Sequence, residues 1–234
     1  MLYRMDYNID LINKYMSTFS DFVGPDGFFG NSDAEDFINT ITLFKEGKDF
    51  IYDTGATKLV IIPKHEKYVI KIPFSGSYNW VGDYEPFYGA SGPCEDNYCE
   101  AELDYYQTAV EEGFDEFFLP IERVLTNSGY YVYIQAKAES FCCDMEDEDE
   151  EKFSSIESRK KYRDLDNRHT ITYNFDNIEL WMSSCLEQLE GDVSKLIDFI
   201  SFLHEWSIDQ DLHRGNVGYY HNKPVIIDYG GYND

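Results

Sequence analysis

The chain has 234 residues, 45 of them acidic and 19 basic, for a formal net charge of −26. That length suits one two-lobed domain or two small ones with a real hydrophobic core, and 43% hydrophobic with 17% aromatic residues is too rich for a disordered chain. So much negative charge repels phosphate backbones and anionic lipid, which argues against direct nucleic-acid and membrane partners. It leaves two readings open, plain solubility or an acidic decoy for a basic partner. No apolar run reaches the roughly 18 residues of a bilayer crossing. The start, MLYRMDYNIDLINKY, lacks the apolar stretch and cleavage site of a signal peptide, so a cytoplasmic protein is expected. Cys94, Cys99, Cys142, Cys143 and Cys185 are odd in number and lack paired metal-ligand spacing, which favours reduced thiols acting as small apolar residues.

In chain order, residues 9–22 carry apolar side chains at helical spacing. Ser32 or Asp33 is placed to cap a second helix over 34–46, ended by Gly47. Three β-branched and aromatic runs follow, FIYDTG, KLVIIP and YVIKIPF, and predict three short antiparallel strands. Residues 75–93 read as a loop. ELDYYQTAVEEG predicts an amphipathic helix with Leu103, Tyr106 and Val110 on its buried face, stopped at Gly113. FFLPIERVL and YYVYIQAKA form a hairpin pattern about the turn Asn127–Gly129. An acidic tract, 144–151, precedes a polar helix within 152–168. Helices are expected over 175–190 and 192–206, the second burying Val193, Leu196, Ile197, Ile200 and Leu203, with Asp192 favourable at its start. Trp80, Trp181 and Trp206 read as core residues. A turn, HNK, and a strand, PVIID, come last.

The strongest chemical signal is Asp211-Leu212-His213-Arg214-Gly215-Asn216, in a loop after a helix, followed by an apolar strand that delivers Asp228. One carboxylate at this spacing can accept a hydroxyl proton. An amide oxygen and a second carboxylate can share a hard cation that prefers oxygen ligands. DLHRGN resembles the catalytic loop of the protein-kinase-like superfamily, in the D-L-H-x-x-N form of aminoglycoside phosphotransferases and small bacterial kinases. IIDYGG resembles its strand plus DFG motif, with Tyr229 in place of Phe. Asp209-Gln210-Asp211 stands where His-Arg-Asp is usual, which removes the arginine that reads activation-loop phosphorylation.

The resemblance covers about residues 50–230 and implies an α+β, bilobal protein-kinase-like fold. Its antiparallel-sheet N-lobe would span 50–138. A reduced, mostly helical C-lobe would span 139–234, and residues 1–49 would form an N-terminal helical extension. YVIKI resembles the third-strand VAIK motif and makes Lys71 the lysine for the α/β-phosphates of ATP. Its partner carboxylate would be Glu100, by N-x-x-E spacing from Asn97, with Glu102 as the alternative. Residues 52–60 lie on the glycine-rich pattern, but only Gly55 matches a glycine and Lys58 stands at the third one, adding charge. Backbone groups near Gln135 to Lys137 would bind adenine. Asn216 and Asp228 would hold Mg²⁺, Asp211 would position and deprotonate the acceptor hydroxyl, and His213 or Arg214 would neutralise the transferring phosphoryl group. Only four residues follow Gly230, too few for a peptide-docking platform after DFG. The implied activity is transfer of the γ-phosphoryl group of ATP to a hydroxyl, with a lean to protein Ser/Thr over a small molecule. The alternative is a kinase-shaped, catalytically weak protein that engages a basic partner through its acidic surface.

Overall fold

Continuous β-branched runs with turn residues between them build the larger sheet of this α+β chain. The computed structural model describes residues 5–19, 23, 31–40, 49–55, 57–78, 84–86, 98–141, 154–169 and 178–229. The chain divides into two compact units, Met1–Asp104 with Pro120–Lys137, and Tyr105–Leu119 with Ala138–Asp234.

In the first unit, strands β1 (Phe50–Thr54), β2 (Lys58–Pro63), β3 (Tyr68–Pro73), β6 (Ile121–Leu125) and β7 (Tyr131–Ala136) form an antiparallel sheet of order β1-β2-β3-β7-β6. Directly opposed residues share a face of such a sheet. The pairs Leu59–Ile72, Ile61–Ile70 and Ile70–Ile134 therefore make one apolar face, and all are buried. Helix α1 (Ile9–Phe19) belongs to this face. Ile12, Tyr15 and Met16 are buried, and the Tyr15 ring meets Phe50 edge-on at 5.5 Å. The segment before it is tied down as well, since Asn8 N–H donates to the Tyr68 hydroxyl at 3.3 Å and Met5 N–H to Glu122 Oε1 at 2.6 Å. The described helices of residues 1–49 fall in the same compact unit as the sheet.

Helix α2 (Asn31–Thr40) is already helical at Asn31, so neither Ser32 nor Asp33 is its N-cap. The expected continuation over 41–46 and its stop at Gly47 lie outside the described residues. Within the segment read as a loop, β4 (Gly76–Tyr78) and β5 (Tyr84–Pro86) pair antiparallel. Both strands are only three residues long, too short to show a periodicity in a turn-rich composition.

Helix α3 (Tyr98–Glu112) contributes residues 98–104 to the first unit and the rest to the second. It ends at Gly113, φ +80°, where Phe114 N–H bonds back to Ala109 O at 2.8 Å. The expected buried face is rotated. The buried residues are Cys99, Glu100, Glu102, Tyr106 and Ala109, whereas Leu103 and Val110 are half-buried. Glu102 takes an interior position because it has cationic partners there, a role that apolar periodicity cannot register.

The second unit holds α4 (Ile156–His169), α5 (Glu179–Gln188), α6 (Val193–Glu205) and a sheet of β8 (Glu139–Ser140), β9 (Val217–Tyr220) and β10 (Lys223–Ile226), in order β10-β9-β8. Asp192 caps α6, its carboxylate accepting from Ser194 and Lys195 N–H at 3.0 and 3.3 Å. The buried stripe of α6 is Leu196, Phe199, Ile200, Phe202 and Leu203. Ile197 is exposed and Val193 half-exposed, contrary to the sequence pattern, because the helix turns towards an aromatic cluster. Phe117 stacks on Phe199 with centroids 4.4 Å apart, and Phe118 lies edge-on to Phe202. Trp181 is fully buried, its indole N–H donating to Gly218 O at 3.2 Å. Trp206 instead lies at the surface, 39% exposed, against Tyr105, and Trp80 lies outside the described residues. His221 and Asn222, both with positive φ, form the tight turn between β9 and β10. Cys99 and Cys185 are buried free thiols, and burial, then the charge of Glu116, pushes the Cys185 thiol up. Cys94, Cys142, Cys143 and the acidic tract lie outside the described residues. No helix among the described residues is long and apolar enough to cross a membrane.

Burial raises the Tyr15 and Tyr68 phenols, Tyr68 to about 12, and Glu66 adds to both. Tyr219 is also raised by burial. A phenol whose folded pKa exceeds its unfolded value of about 10 stabilises the fold fully below pH ~10, and that contribution is lost as the pH rises towards the folded value. Urea unfolding between pH 9 and 12 should therefore show falling stability, with a shallower fall in Tyr68→Phe. An identical slope in the two proteins would contradict this assignment.

Candidate active site

The face of the first unit's sheet opposite the apolar one carries a row of polar side chains across four strands. The register sets Val60 against Lys71, Lys71 against Tyr133 and Tyr133 against Arg123. Lys58 lies on the same face of β2, two residues from Val60. The first turns of α3 answer this row with two carboxylates. Glu102, with no exposed surface, accepts from Lys71 Nζ at 2.6 Å through Oε2 and from Lys58 Nζ through Oε1. Lys58 and Lys71 are themselves only 5% and 3% exposed. Glu100 accepts from Arg123 and from the Tyr133 hydroxyl. The carboxylate paired with Lys71 is therefore Glu102, and the expectation of Glu100 is corrected. Residues two apart on a helix point about 200° away from each other, so each carboxylate meets a different stretch of the row.

Two backbone groups expected to bind nucleotide are already committed. Gly55 N–H closes the β1–β2 turn onto Lys58 O at 3.0 Å, and Lys137 N–H donates to Lys67 O at 2.8 Å. The Gly55 and Lys137 amides therefore have backbone partners already, while the other backbone groups of residues 135–137 expected at adenine are not accounted for by these two bonds. Gln135 lies on β7 with no exposed surface, and neither end of its side-chain amide has a hydrogen-bond partner among the described residues. The sequence offered no signal for this, because a strand glutamine reads as half-exposed.

In the second unit, a short 3-10 helix (Ile208–Asp211) leads into the loop 212–216. Asn216 organises it. Its Nδ2 donates to Asp211 O at 2.8 Å and to Asp211 Oδ2 at 3.1 Å. Its backbone oxygen accepts from Ile227 N–H at 2.7 Å and Asp228 N–H at 3.3 Å. One residue thus brings together the loop carboxylate and the chain just past β10. Tyr229 locks the next position, buried, with its hydroxyl on Leu119 O at 2.7 Å and its ring edge-on to Phe118. His213 is exposed and folds back on its own loop. Its Nδ1 accepts from Gly215 N–H at 3.0 Å, and its Nε2 lies 3.7 Å from Asp211 Oδ1. That bond depends on Gly215, since a Cβ there would sit 2.8 Å from His213 Cε1.

Among the described residues no cluster of three or more His, Cys, Asp or Glu side chains is placed to hold a metal ion. The donor set of Asn216 and Asp228 fits a hard cation whose remaining ligands are phosphate oxygens and water. The amide nitrogen of Asn216 is occupied by Asp211, which leaves Oδ1 for the cation. No protein-family model, curated protein or solved structure matches the chain.

Removing one partner of a buried ion pair is costly. Glu102→Ala should lower stability by about 3–5 kcal/mol, and Glu100→Ala by less, because its partner Arg123 is 35% exposed. Equal losses in chemical denaturation would show that the two carboxylates are equivalent. Gln135→Met, which removes two unpaired buried polar atoms, should raise stability by about 1–3 kcal/mol. A lower melting temperature for that variant would mean that the amide is satisfied.

Proposed function

We propose that this chain is an ATP-dependent phosphotransferase of the protein-kinase-like type, with a bilobal fold, that transfers the γ-phosphoryl group to a serine or threonine hydroxyl of a protein. The observation that carries the reading is Asn216, whose amide holds Asp211 and whose backbone oxygen holds Asp228. It gathers Asp211, which would serve as base, and the backbone of Asp228 about one side chain, which supports a site for phosphoryl transfer. The buried pairing of Lys71 on the third strand with Glu102 on the following helix supports it.

Asp211, whose side chain is 28% exposed, accepts the hydroxyl proton as the acceptor oxygen bonds to the γ-phosphorus. The bridging P–O bond to the β-phosphate breaks and ADP leaves. Asn216 Oδ1 and the Asp228 carboxylate would hold Mg²⁺, which would offset the charge of the phosphate oxygens. Lys71, oriented by Glu102, binds the α/β-phosphates. His213, with Nδ1 accepting, carries its proton on Nε2 and keeps a donor near Asp211. Catalysis of this kind is mostly positioning and electrostatics, so few side chains suffice.

One observation favours a second reading, a kinase-shaped binding protein for a basic partner: the N–H of Gly55 is closed onto Lys58. Radiolabelled phosphate transfer with Mg²⁺ and a panel of proteins and small hydroxyl compounds separates the two. Asp211→Asn should lose about 100-fold or more of the transfer rate, and a variant as active as the parent would overturn the enzymatic reading. Mg·ATP at about 100 times its Kd should add about 2.7 kcal/mol of stability. No shift, together with capture of a defined basic polypeptide, would favour the binding protein.

A further inference from the structure

We propose that the side-chain amide of Gln135 reads the N6/N7 edge of adenine, donating to N7 and accepting from the 6-amino group, and so selects the base of the nucleotide. The inference rests on the nucleotide reading above and gives a side chain a role at the base, where that reading uses backbone groups alone.

Gln135 stands opposite Val69 of β3 on one side and Ile121 of β6 on the other. Both cross-strand neighbours are apolar and offer its amide nothing. The residue has no exposed surface, and neither Oε1 nor Nε2 has a hydrogen-bond partner among the described residues. A buried amide without partners costs free energy that an apolar side chain of similar size would not. An amide presents a donor and an acceptor side by side, so it is best matched by a ligand with the complementary pair on one edge. The 6-amino group and N7 of adenine are that pair, and glutamine engages them with two bonds. Guanine offers two acceptors there, O6 and N7, and leaves the amide oxygen unmatched.

The position on the sheet agrees. Alternate residues of a strand share a face, so Gln135 lies on the polar face with Tyr133, and Val69 lies on it with Lys71. Val69 is two residues along β3 from Lys71, about 7 Å, a separation that the ribose of a nucleotide spans. Val69 is only half-buried, so a ligand can reach the face there. A flat base over Val69 has its edge beside Gln135. An amide that has no partner gives up no hydrogen bond when it turns to that edge.

Calorimetric titration of the parent chain and Gln135→Met with Mg·ATP and with the magnesium complex of 7-deaza-ATP, which lacks only the N7 acceptor, tests this. The parent should bind 7-deaza-ATP about tenfold more weakly than ATP. Gln135→Met should bind the two within twofold of each other. A glutamine with a purely structural role would shift both nucleotides alike, and backbone contacts to N1 and the 6-amino group would leave the parent indifferent to N7. If the parent binds both nucleotides equally, or if Gln135→Met keeps the parent's preference, the base-reading role is overturned and the nucleotide reading stands. If the parent gives no heat with either nucleotide, both fall. Should Gln135→Met fail to fold, Gln135→Leu makes the same comparison.

Discussion

The first unit is organised by the meeting of two helix carboxylates with a row of cations and a phenol laid across four strands. Glu102 takes the lysines and Glu100 takes Arg123 and Tyr133. A buried acid on a helix has low cost only where its partners are in register. The pairing therefore fixes the rotation of the start of α3 and, with it, which helix residues are interior. It also explains how β2, β3, β6 and β7 come to share one polar face while the other face is filled by Leu, Ile, Val and Phe and closed by α1. A hydrophobic sheet face is non-directional, whereas this ionic face sets a unique docking angle.

Asn216 has the corresponding role in the second unit, with a neutral side chain. An amide can donate and accept at once, and the backbone of the same residue supplies a further acceptor. One residue therefore ties a loop to a strand end without adding charge to a chain that already carries −26. An aspartate at 216 would place a second carboxylate against Asp211 and repel it. The geometry around Asp211 and Asp228 follows from that one side chain and from the buried Tyr229 anchor.

Much of this is legible in the sequence. The strands at 50–63 and 68–73, the hairpin about Asn127–Gly129, the acidic start of α6 at Asp192 and the clustering of Asp211 with Asn216 follow from period, turn chemistry and spacing. The differences share a physical cause. Apolar periodicity places Leu103 and Val110 inside and cannot see that Glu102 is an interior residue, because its burial depends on lysines more than 30 residues upstream. The same periodicity favours Ile197 over Phe199 and Phe202, although the larger aromatic surfaces decide which way a helix turns. The choice between Glu100 and Glu102 depends on strand register, which residue spacing on a helix does not contain. Likewise, nothing local indicates that the Gly55 and Lys137 amides are consumed by nearby backbone oxygens.

Gly218 constrains the second unit in a different way. It sits in β9 where β8 passes so close that a methyl group would stand 2.2 Å from the Glu139 carbonyl oxygen, a backbone atom with no rotamer to escape into. Its own carbonyl is the one that receives the Trp181 indole. Alanine for glycine, ordinarily among the mildest of exchanges, would here push β8 away from β9 and disturb the buried Trp181 ring at once. A genetic screen for heat-sensitive alleles would find them at this inconspicuous position sooner than in the loop that ends at Asn216.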